Sequence, residues 1–435
     1  MVNRLASWRL ALSSWVLAAS CVTAADTLPN DNKHLGVASC ASSVCHGKIA
    51  PAKGPNVHVQ LNEYTIWFKQ DRHAIAFTRL REAPALKIAG KLGIANPSAS
   101  KLCVVCHADT QAATAAGPTK FRQSDGVGCE ACHGGADKWI DIHSQLNATH
   151  KENVAHGMYP TEQPLERAKI CLSCHLGTVD RYATHVIMGA GHPRLLFELN
   201  SFSEDQPRHY DAASPSYIKR KGEISGMNLW VTGQLESAER TLSLLDSDLI
   251  SPGGIVPELA FYECYSCHHR TDDLRWSKER AGPGISPGTL RLQRQNLVML
   301  QTLASVIEPA AVAPLQEGTQ SLVKAGQSDV QSLRQTAKKV LASVKGHENW
   351  SSRSYAKAEI QQVRRALLKL AADDQASDFS VAEQVFMGVV SLSYALGEQD
   401  QRAKQIATLL DQVKNGSDFN NTQFIAAVRR VQGQF

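Results

Sequence analysis

The chain reads Gly126-Val127-Gly128-Cys129-Glu130-Ala131-Cys132-His133-Gly134 in its first third. Two cysteines stand three residues apart in this stretch, and a histidine follows the second one directly. The pattern C-x-x-C-H recurs three times, and a wider C-x4-C-H copy comes first. In chain order, motifs 1 to 5 are Cys40-Ala41-Ser42-Ser43-Val44-Cys45-His46, Cys103-Val104-Val105-Cys106-His107, Cys129-Glu130-Ala131-Cys132-His133, Cys171-Leu172-Ser173-Cys174-His175 and Cys264-Tyr265-Ser266-Cys267-His268. Ten of the 11 cysteines therefore belong to the five motifs, and Cys21 precedes them.

C-x-x-C-H is the attachment site of c-type haem, in which both thiols form thioethers and the histidine binds the iron. The sequence predicts five covalent haems c, held by the ten motif cysteines. The predicted proximal iron ligands are His46, His107, His133, His175 and His268. Three alternatives stay open at this point: zinc bound by C-x-x-C pairs, thioredoxin-like redox pairs, and a disulfide between Cys40 and Cys45 in place of motif 1.

The sixth coordination position of each iron decides whether the iron only transfers electrons or also binds a small molecule. Eleven of the 16 histidines remain for these five positions, and this surplus favours bis-histidine ligation. The preferred distal candidates are His73, His143, His185, His192 and His209. Weaker candidates are His34, His58, His150, His156 and His269, whereas Met158 and Met188 are interpreted as packing residues.

The stretch from roughly Val37 to Lys221 resembles the multihaem cytochrome c group typified by cytochrome c-554. The resemblance rests on Trp67 with His73-Ala74, on residues 126–134 followed by His143, and on Gly191-His192-Pro193-Arg194 with Phe197-Glu198-Leu199. It implies packed pairs of haems, with His73, His143 and His192 as distal ligands, sometimes to a haem other than the sequence neighbour. The chain departs from the four-haem carriers in its fifth motif, its wider motif 1 and a C-terminal extension without motifs.

The predicted fold is mainly α, with a loop-rich multihaem cytochrome c domain followed by an α-helical bundle. We predict a signal peptide over residues 1–25, a pentahaem domain over 26–270, a linker over 271–287 and the bundle over 288–435. Apolar residues at helical spacing after Pro287 predict about six helices. One of them is expected to start at a capping box, Ser380 to Glu383, and to end before Gly397.

The N-terminus predicts export, because Arg4 and Arg9 precede a short apolar run and small residues before Ala25. We therefore expect a periplasmic protein, with an extracellular location or a lipid anchor on Cys21 as alternatives. No segment of the mature chain is apolar over enough residues to span a membrane. The net charge of +5 in 435 residues is too mild to indicate a nucleic-acid partner.

The sequence favours an electron carrier that relays electrons through its haems. The expected partners are quinol oxidase-type donors, other cytochromes or a terminal reductase, and assembly into a homo-oligomer stays open. The alternative is a multihaem oxidoreductase for a nitrogen or sulfur oxyanion substrate such as nitrite, hydroxylamine, nitric oxide or tetrathionate. Such an enzyme needs one open axial position, with Tyr210, Arg194 or Arg208 as pocket donors. The basic residues Arg194, Arg208, Lys219, Arg220 and Lys221 suit either haem propionates or a solvated face. A third reading is a filament of subunits stacked haem to haem.

Overall fold

The computed structural model describes residues 32–53, 59–111, 120–253, 256–268 and 289–435. The predicted signal peptide and linker lie outside these residues. The described chain contains 19 α-helices, and its only β-structure consists of isolated bridges. The predicted mainly α fold is confirmed.

The N-terminal part consists of short helices joined by long loops. Helices α1 to α11 span Glu63–Gln70, Ala76–Arg79, Ala83–Lys91, Lys101–His107, Cys129–His133, Ile140–His143, His150–Ala155, Pro164–His175, His185–Ala190, Leu199–Asp205 and Pro215–Lys221. The longest of them, α8, has only 12 residues. Helices this short do not persist alone in water, so this part depends on tertiary contacts.

Glu130, inside motif 3, fastens the loops around that motif. Its carboxylate is buried and accepts the backbone N–H groups of Leu35 at 2.8 Å, Gly36 at 2.7 Å and Ala136 at 2.8 Å. A buried carboxylate is tolerated where several donors satisfy it. The N-terminal segment is thereby held against the helix that carries Cys129 and Cys132.

The C-terminal part is a bundle of longer helices. Helices α12 to α19 span Gly226–Leu245, Gln295–Ile307, Val312–Ala325, Val330–Lys345, Lys357–Ala372, Phe379–Ala395, Ala403–Val413 and Asn421–Val431. Seven of them follow residue 288, where the periodicity predicted about six. Their buried apolar residues, together with those of α12, form one continuous core.

Helix α12 lies before the predicted linker, yet it packs inside the bundle. It contacts α13, α15 and α17 on one side and α8 and α10 on the other. Fourteen of its 20 residues are buried, among them Trp230, which is fully enclosed. Because helices buried all round sit at the centre of a fold, α12 is shared by the two parts of the chain.

The predicted capping box at the start of α17 is wrong. Asp378 precedes the helix and binds Arg291 and Arg294 at 3.1 and 2.9 Å, rather than capping it. Ser380 and Glu383 are buried and bind groups outside the helix, as described below. The expected helix end is confirmed, since α17 stops at Ala395 and Gly397 follows with a φ of 68°, a left-handed conformation that favours glycine.

Polar side chains of α17 bind the haem-motif part of the chain. Glu383 pairs with Arg194 at 2.6 Å, and the hydroxyl of Ser380 donates to Glu263, directly before motif 5. Asn200 donates to the Ser391 carbonyl at 3.1 Å. These contacts join the two parts of the chain through buried charged and polar groups.

Among the described residues, no helix is long and apolar enough to cross a membrane.

Candidate functional site

Three of the motifs close a helix. Helices α4, α5 and α8 end at His107, His133 and His175. Positions three and four residues apart lie on one face of a helix, so the two thiols and the histidine of each motif share a face. Several of the short N-terminal helices therefore end in a motif.

Motifs 1 and 5 lie outside α-helices. Motif 5 begins with the 3-10 turn Cys264–Ser266, and the His268 N–H donates to the Cys264 carbonyl at 2.9 Å. In motif 1 the His46 N–H donates to the Cys40 carbonyl at 3.1 Å, which closes the wider loop. The ten motif cysteines are free thiols in the described chain, including Cys40 and Cys45, for which a disulfide was the alternative.

Each motif histidine faces one of the five preferred distal candidates. The ring centroids are 5.8 to 6.3 Å apart in all five cases. The pairs are His46 with His143 (5.8 Å), His107 with His192 (6.3 Å), His133 with His209 (6.1 Å), His175 with His73 (6.1 Å) and His268 with His185 (6.2 Å). In four of the pairs, at least one other motif lies between the two histidines along the chain. Only His185 and His268 have no motif between them, so the pairing does not follow chain order.

The spacing of the rings fits a metal ion between them. Two imidazoles that bind one ion from opposite sides, through bonds of about 2 Å, have centroids about 6 Å apart. Rings stacked directly on one another can stand closer, as the rings of His347 and Trp350 do at 4.2 Å. Together with the thiols beside them, the five ring pairs fit covalently attached haems with two axial imidazoles.

Several of the paired rings are oriented so that Nδ1 is engaged by the protein and Nε2 is left for a metal ion. Nδ1 of His46, His73, His107 and His192 lies 2.8 to 3.1 Å from a carboxylate or carbonyl oxygen. A metal-bound histidine commonly engages its other ring nitrogen in this way, which fixes the tautomer and the ring plane. Nε2 of these rings is therefore the nitrogen available for iron.

Burial lowers the pKa of five of the ten paired rings, those of His107, His133, His143, His175 and His209. Burial lowers the pKa of His133 to about 3 and that of His175 to about 4. Iron binds the neutral imidazole, so a buried ring needs no deprotonation before it binds. The hydrogen bond from Glu63 raises the pKa of His46, and the one from Asp71 raises that of His73.

The motifs adjoin one another through their cysteines. The Cys129 thiol lowers the pKa of the Cys40 thiol by hydrogen bonding, which places motif 1 against motif 3. The Cys106 thiol likewise lowers the pKa of Cys174 to about 5, which places motif 2 against motif 4. Motifs 3 and 4 are also neighbours, because the charge of Cys171 acts on Cys132, whose pKa burial raises to about 12.

Motif 5 joins this group through helix α9. His185 begins the helix and faces His268, and His192 follows the helix and faces His107. The Glu258 carboxylate accepts the His185 N–H at 2.6 Å and fixes this end of α9. The five motifs thus form one connected set.

An open cleft lies between motif 4 and the bundle. His175, Leu172, Leu176, Met188 and Phe197 contribute to its lining on the side of motif 4. Polar and charged side chains, among them Arg194 and Glu383, line it as well. The Met188 side chain belongs to this lining, in line with its interpretation as a packing residue.

The weaker histidine candidates lie apart from the five pairs. Nε2 of His150 is engaged by Glu162 at 2.8 Å, and His156 is exposed, with Nδ1 on the Glu152 carbonyl. His34 is buried against Asp109 at 2.6 Å. His58 and His269 lie outside the described residues.

The predicted basic cluster divides among protein partners. Arg194 binds Glu383, and Arg208 binds Glu204. Lys221 lies with its ammonium 5.4 Å from the centre of the Tyr217 ring.

Sequence reasoning missed Arg167, which donates to the Tyr210 hydroxyl at 3.3 Å and to the Thr161 carbonyl at 2.8 Å. Its basic character alone did not distinguish it from solvated residues.

The motifs and the paired rings are typical of c-type cytochromes. Residues 39–134 match the family model described as cytochrome c554 and c-prime, which confirms the resemblance and is consistent with a multihaem cytochrome of that group. The match includes motifs 1 to 3 and ends before motifs 4 and 5 and the bundle. Comparison with curated proteins and with solved structures gave no match. The family implies covalently bound haem c, a haem-based redox role and redox partners.

Proposed function

We propose that this chain is a pentahaem electron carrier in which each iron has two histidine ligands. One observation carries the proposal: each of the five motif histidines faces a second histidine at the spacing that an intervening iron requires. Bound haem supplies a centre that accepts and donates one electron. A second imidazole fills the position at which a substrate would otherwise bind.

The arrangement of the motifs supports a continuous row. Contacts between cysteines connect motif 1 to 3, 3 to 4 and 4 to 2, and helix α9 connects motif 2 to motif 5. Cys45 of motif 1 and Cys267 of motif 5 are exposed. Motifs 1 and 5 are therefore the ends at which we expect partner proteins to dock.

The surface near these ends suits transient partners. Val44 and Ile49 near motif 1 are more than four-fifths exposed, and Val256 near motif 5 is also exposed. Small interfaces with few apolar contacts are typical of electron-transfer encounters. We expect the partners to be quinol oxidase-type donors, other cytochromes or a terminal reductase. Because the N-terminal sequence predicts export, we expect these encounters to take place in the periplasm.

The enzyme alternative has less support in the described site. It needs an iron with one open position, whereas all five motif histidines have a facing ring. Its three expected pocket donors also bind protein groups: Arg194 binds Glu383, Arg208 binds Glu204, and the Tyr210 hydroxyl accepts from Arg167. We therefore place electron transfer first.

Mass spectrometry and low-temperature EPR of the oxidised protein test the proposal. We expect the mass of five haems and only low-spin iron signals, because two imidazoles produce a strong axial field. A mass for four haems would remove motif 1 from the set. A high-spin iron that responds to nitrite or nitric oxide would instead favour the enzyme.

A further inference from the structure

Two of the paired histidines have a carboxylate on the nitrogen that faces away from the partner ring. Nδ1 of His46 lies 2.9 Å from Glu63 Oε2, and Nδ1 of His73 lies 2.8 Å from Asp71 Oδ1. His46 belongs to motif 1, and His73 faces His175 of motif 4. Glu63 therefore contacts the ring pair of motif 1, and Asp71 contacts the ring pair of motif 4.

Backbone groups hold the Glu63 carboxylate in place. Its Oε1 accepts the N–H groups of Gln60 at 3.0 Å and Leu61 at 3.1 Å. Leu61 has a φ of 59°, in the left-handed region that a leucine seldom adopts. Such a conformation persists only where surrounding contacts enforce it, and here it turns the Leu61 N–H toward Glu63.

Asp71 is still more enclosed, at 6 % exposure. Its Oδ1 also accepts the His73 N–H at 2.9 Å, and its Oδ2 accepts the side-chain amide of Gln206 at 3.0 Å. The His73 ring, the His73 N–H and the Gln206 amide together hold the Asp71 carboxylate in place beside the ring.

The other Nδ1 hydrogen bonds described for the paired histidines are with neutral groups. His107 faces the Ala76 carbonyl at 3.1 Å, His192 the Pro193 carbonyl at 2.8 Å and His143 the Asn153 amide at 3.2 Å. A charged acceptor makes an imidazole a stronger electron donor than a neutral acceptor does. Stronger donation favours the oxidised iron over the reduced one.

We propose that Glu63 and Asp71 lower the reduction potentials of the haems at motifs 1 and 4 below those of the other three. The inference rests on the proposed function, because it requires His46 and His73 to be iron ligands. Reduction adds one electron and breaks no bond, and the Nδ1 proton stays between the ring and the carboxylate. Glu63 and Asp71 are positioning residues in this scheme, since they act through the ligand ring.

Potentiometric titration of Glu63→Gln and Asp71→Asn, each as the haem-loaded full chain, tests the proposal. Loss of such an outer partner typically changes metal-site properties tenfold or more, and a tenfold change corresponds to about 59 mV for one electron. We expect each variant to move one of the five reduction steps upward by roughly that amount. The double variant should move two steps.

Glu162→Gln is the matched control. Glu162 makes the same kind of contact, 2.8 Å from Nε2 of His150, but this histidine lies outside the five pairs. Its substitution should leave the two lowest steps in place. An equal shift in this control would assign the effect to general loss of charge and overturn the proposal.

Asp71→Glu tests whether the negative charge or the packing of the side chain sets the reduction potential, because this variant keeps the carboxylate and changes the packing. We expect its lowest steps to stay near those of the unaltered protein, and a shift as large as in Asp71→Asn would overturn the proposal. Haem mass and EPR are recorded on every sample. Five low-spin haems with unmoved potentials in Glu63→Gln and Asp71→Asn would refute this inference and leave the proposed function intact.

Discussion

In the His143→Ala variant, one iron should change from low spin to high spin while the mass of the haem-loaded chain falls only by the lost side chain. His143 is the ring that faces His46, at 5.8 Å, and alanine offers no replacement ligand. Low-temperature EPR of the oxidised protein measures the change. The new high-spin iron should also bind nitric oxide.

His156→Ala is the control for this substitution. His156 is exposed and bonds only the Glu152 carbonyl within its own helix, so all five irons should stay low spin. His73→Ala in the intact haem-loaded chain should likewise turn one iron high spin, because His73 faces His175 of motif 4. An all-low-spin spectrum for His143→Ala would show that His46 has another partner.

Arg364→Leu should lower the free energy of unfolding by about 3–5 kcal/mol, the usual cost of removing one partner of a buried ion pair. Arg364 is fully buried in α16 and donates to Glu398 at 2.8 Å, Ser393 at 3.1 Å and the Phe435 carbonyl at 2.9 Å. Leucine leaves these acceptors unsatisfied. Denaturant titration followed by circular dichroism of the helices measures the change.

The comparison for Arg364→Leu is Arg334→Leu. Arg334 pairs with Asp248, whose side chain is 98 % exposed, and such exposed pairs contribute at most about 1 kcal/mol. Its variant should therefore unfold close to the unaltered protein. Equal denaturation midpoints for the two variants would contradict the role given to Arg364.

The sequence predicts the chemistry of the site, and the structure brings the predicted histidines together, but the sequence does not predict which of them pair. The motif spacing names the cysteines and proximal histidines, and the surplus of histidines points to His73, His143, His185, His192 and His209. Which of these rings faces which motif depends on loop paths between short helices. The spacing of apolar residues along the sequence predicts helices, but it does not predict the paths of the loops between them.

Helix α12, which no prediction named, has a cap at Ser225 and apolar residues at helical spacing from Met227 to Leu245, a signal in the sequence that could have revealed it. The predicted capping box was wrong for a physical reason. Ser380 and Glu383 matched a capping box, because the pattern cannot show that both side chains bind groups from another part of the chain. Arg194 was assigned to propionates or solvent for the same reason, and it lies against Glu383.

The ring pairs join positions that are far apart along the chain, and several of the spanned segments overlap. Residues 46 to 143 enclose both His73 and His107, whose partners lie beyond this segment. Iron bonds across such pairs act as cross-links, and closing long loops removes conformational freedom chiefly from the unfolded chain. The cofactors would then interlace this half of the polypeptide. Its maturation should depend on the order in which the overlapping loops are closed.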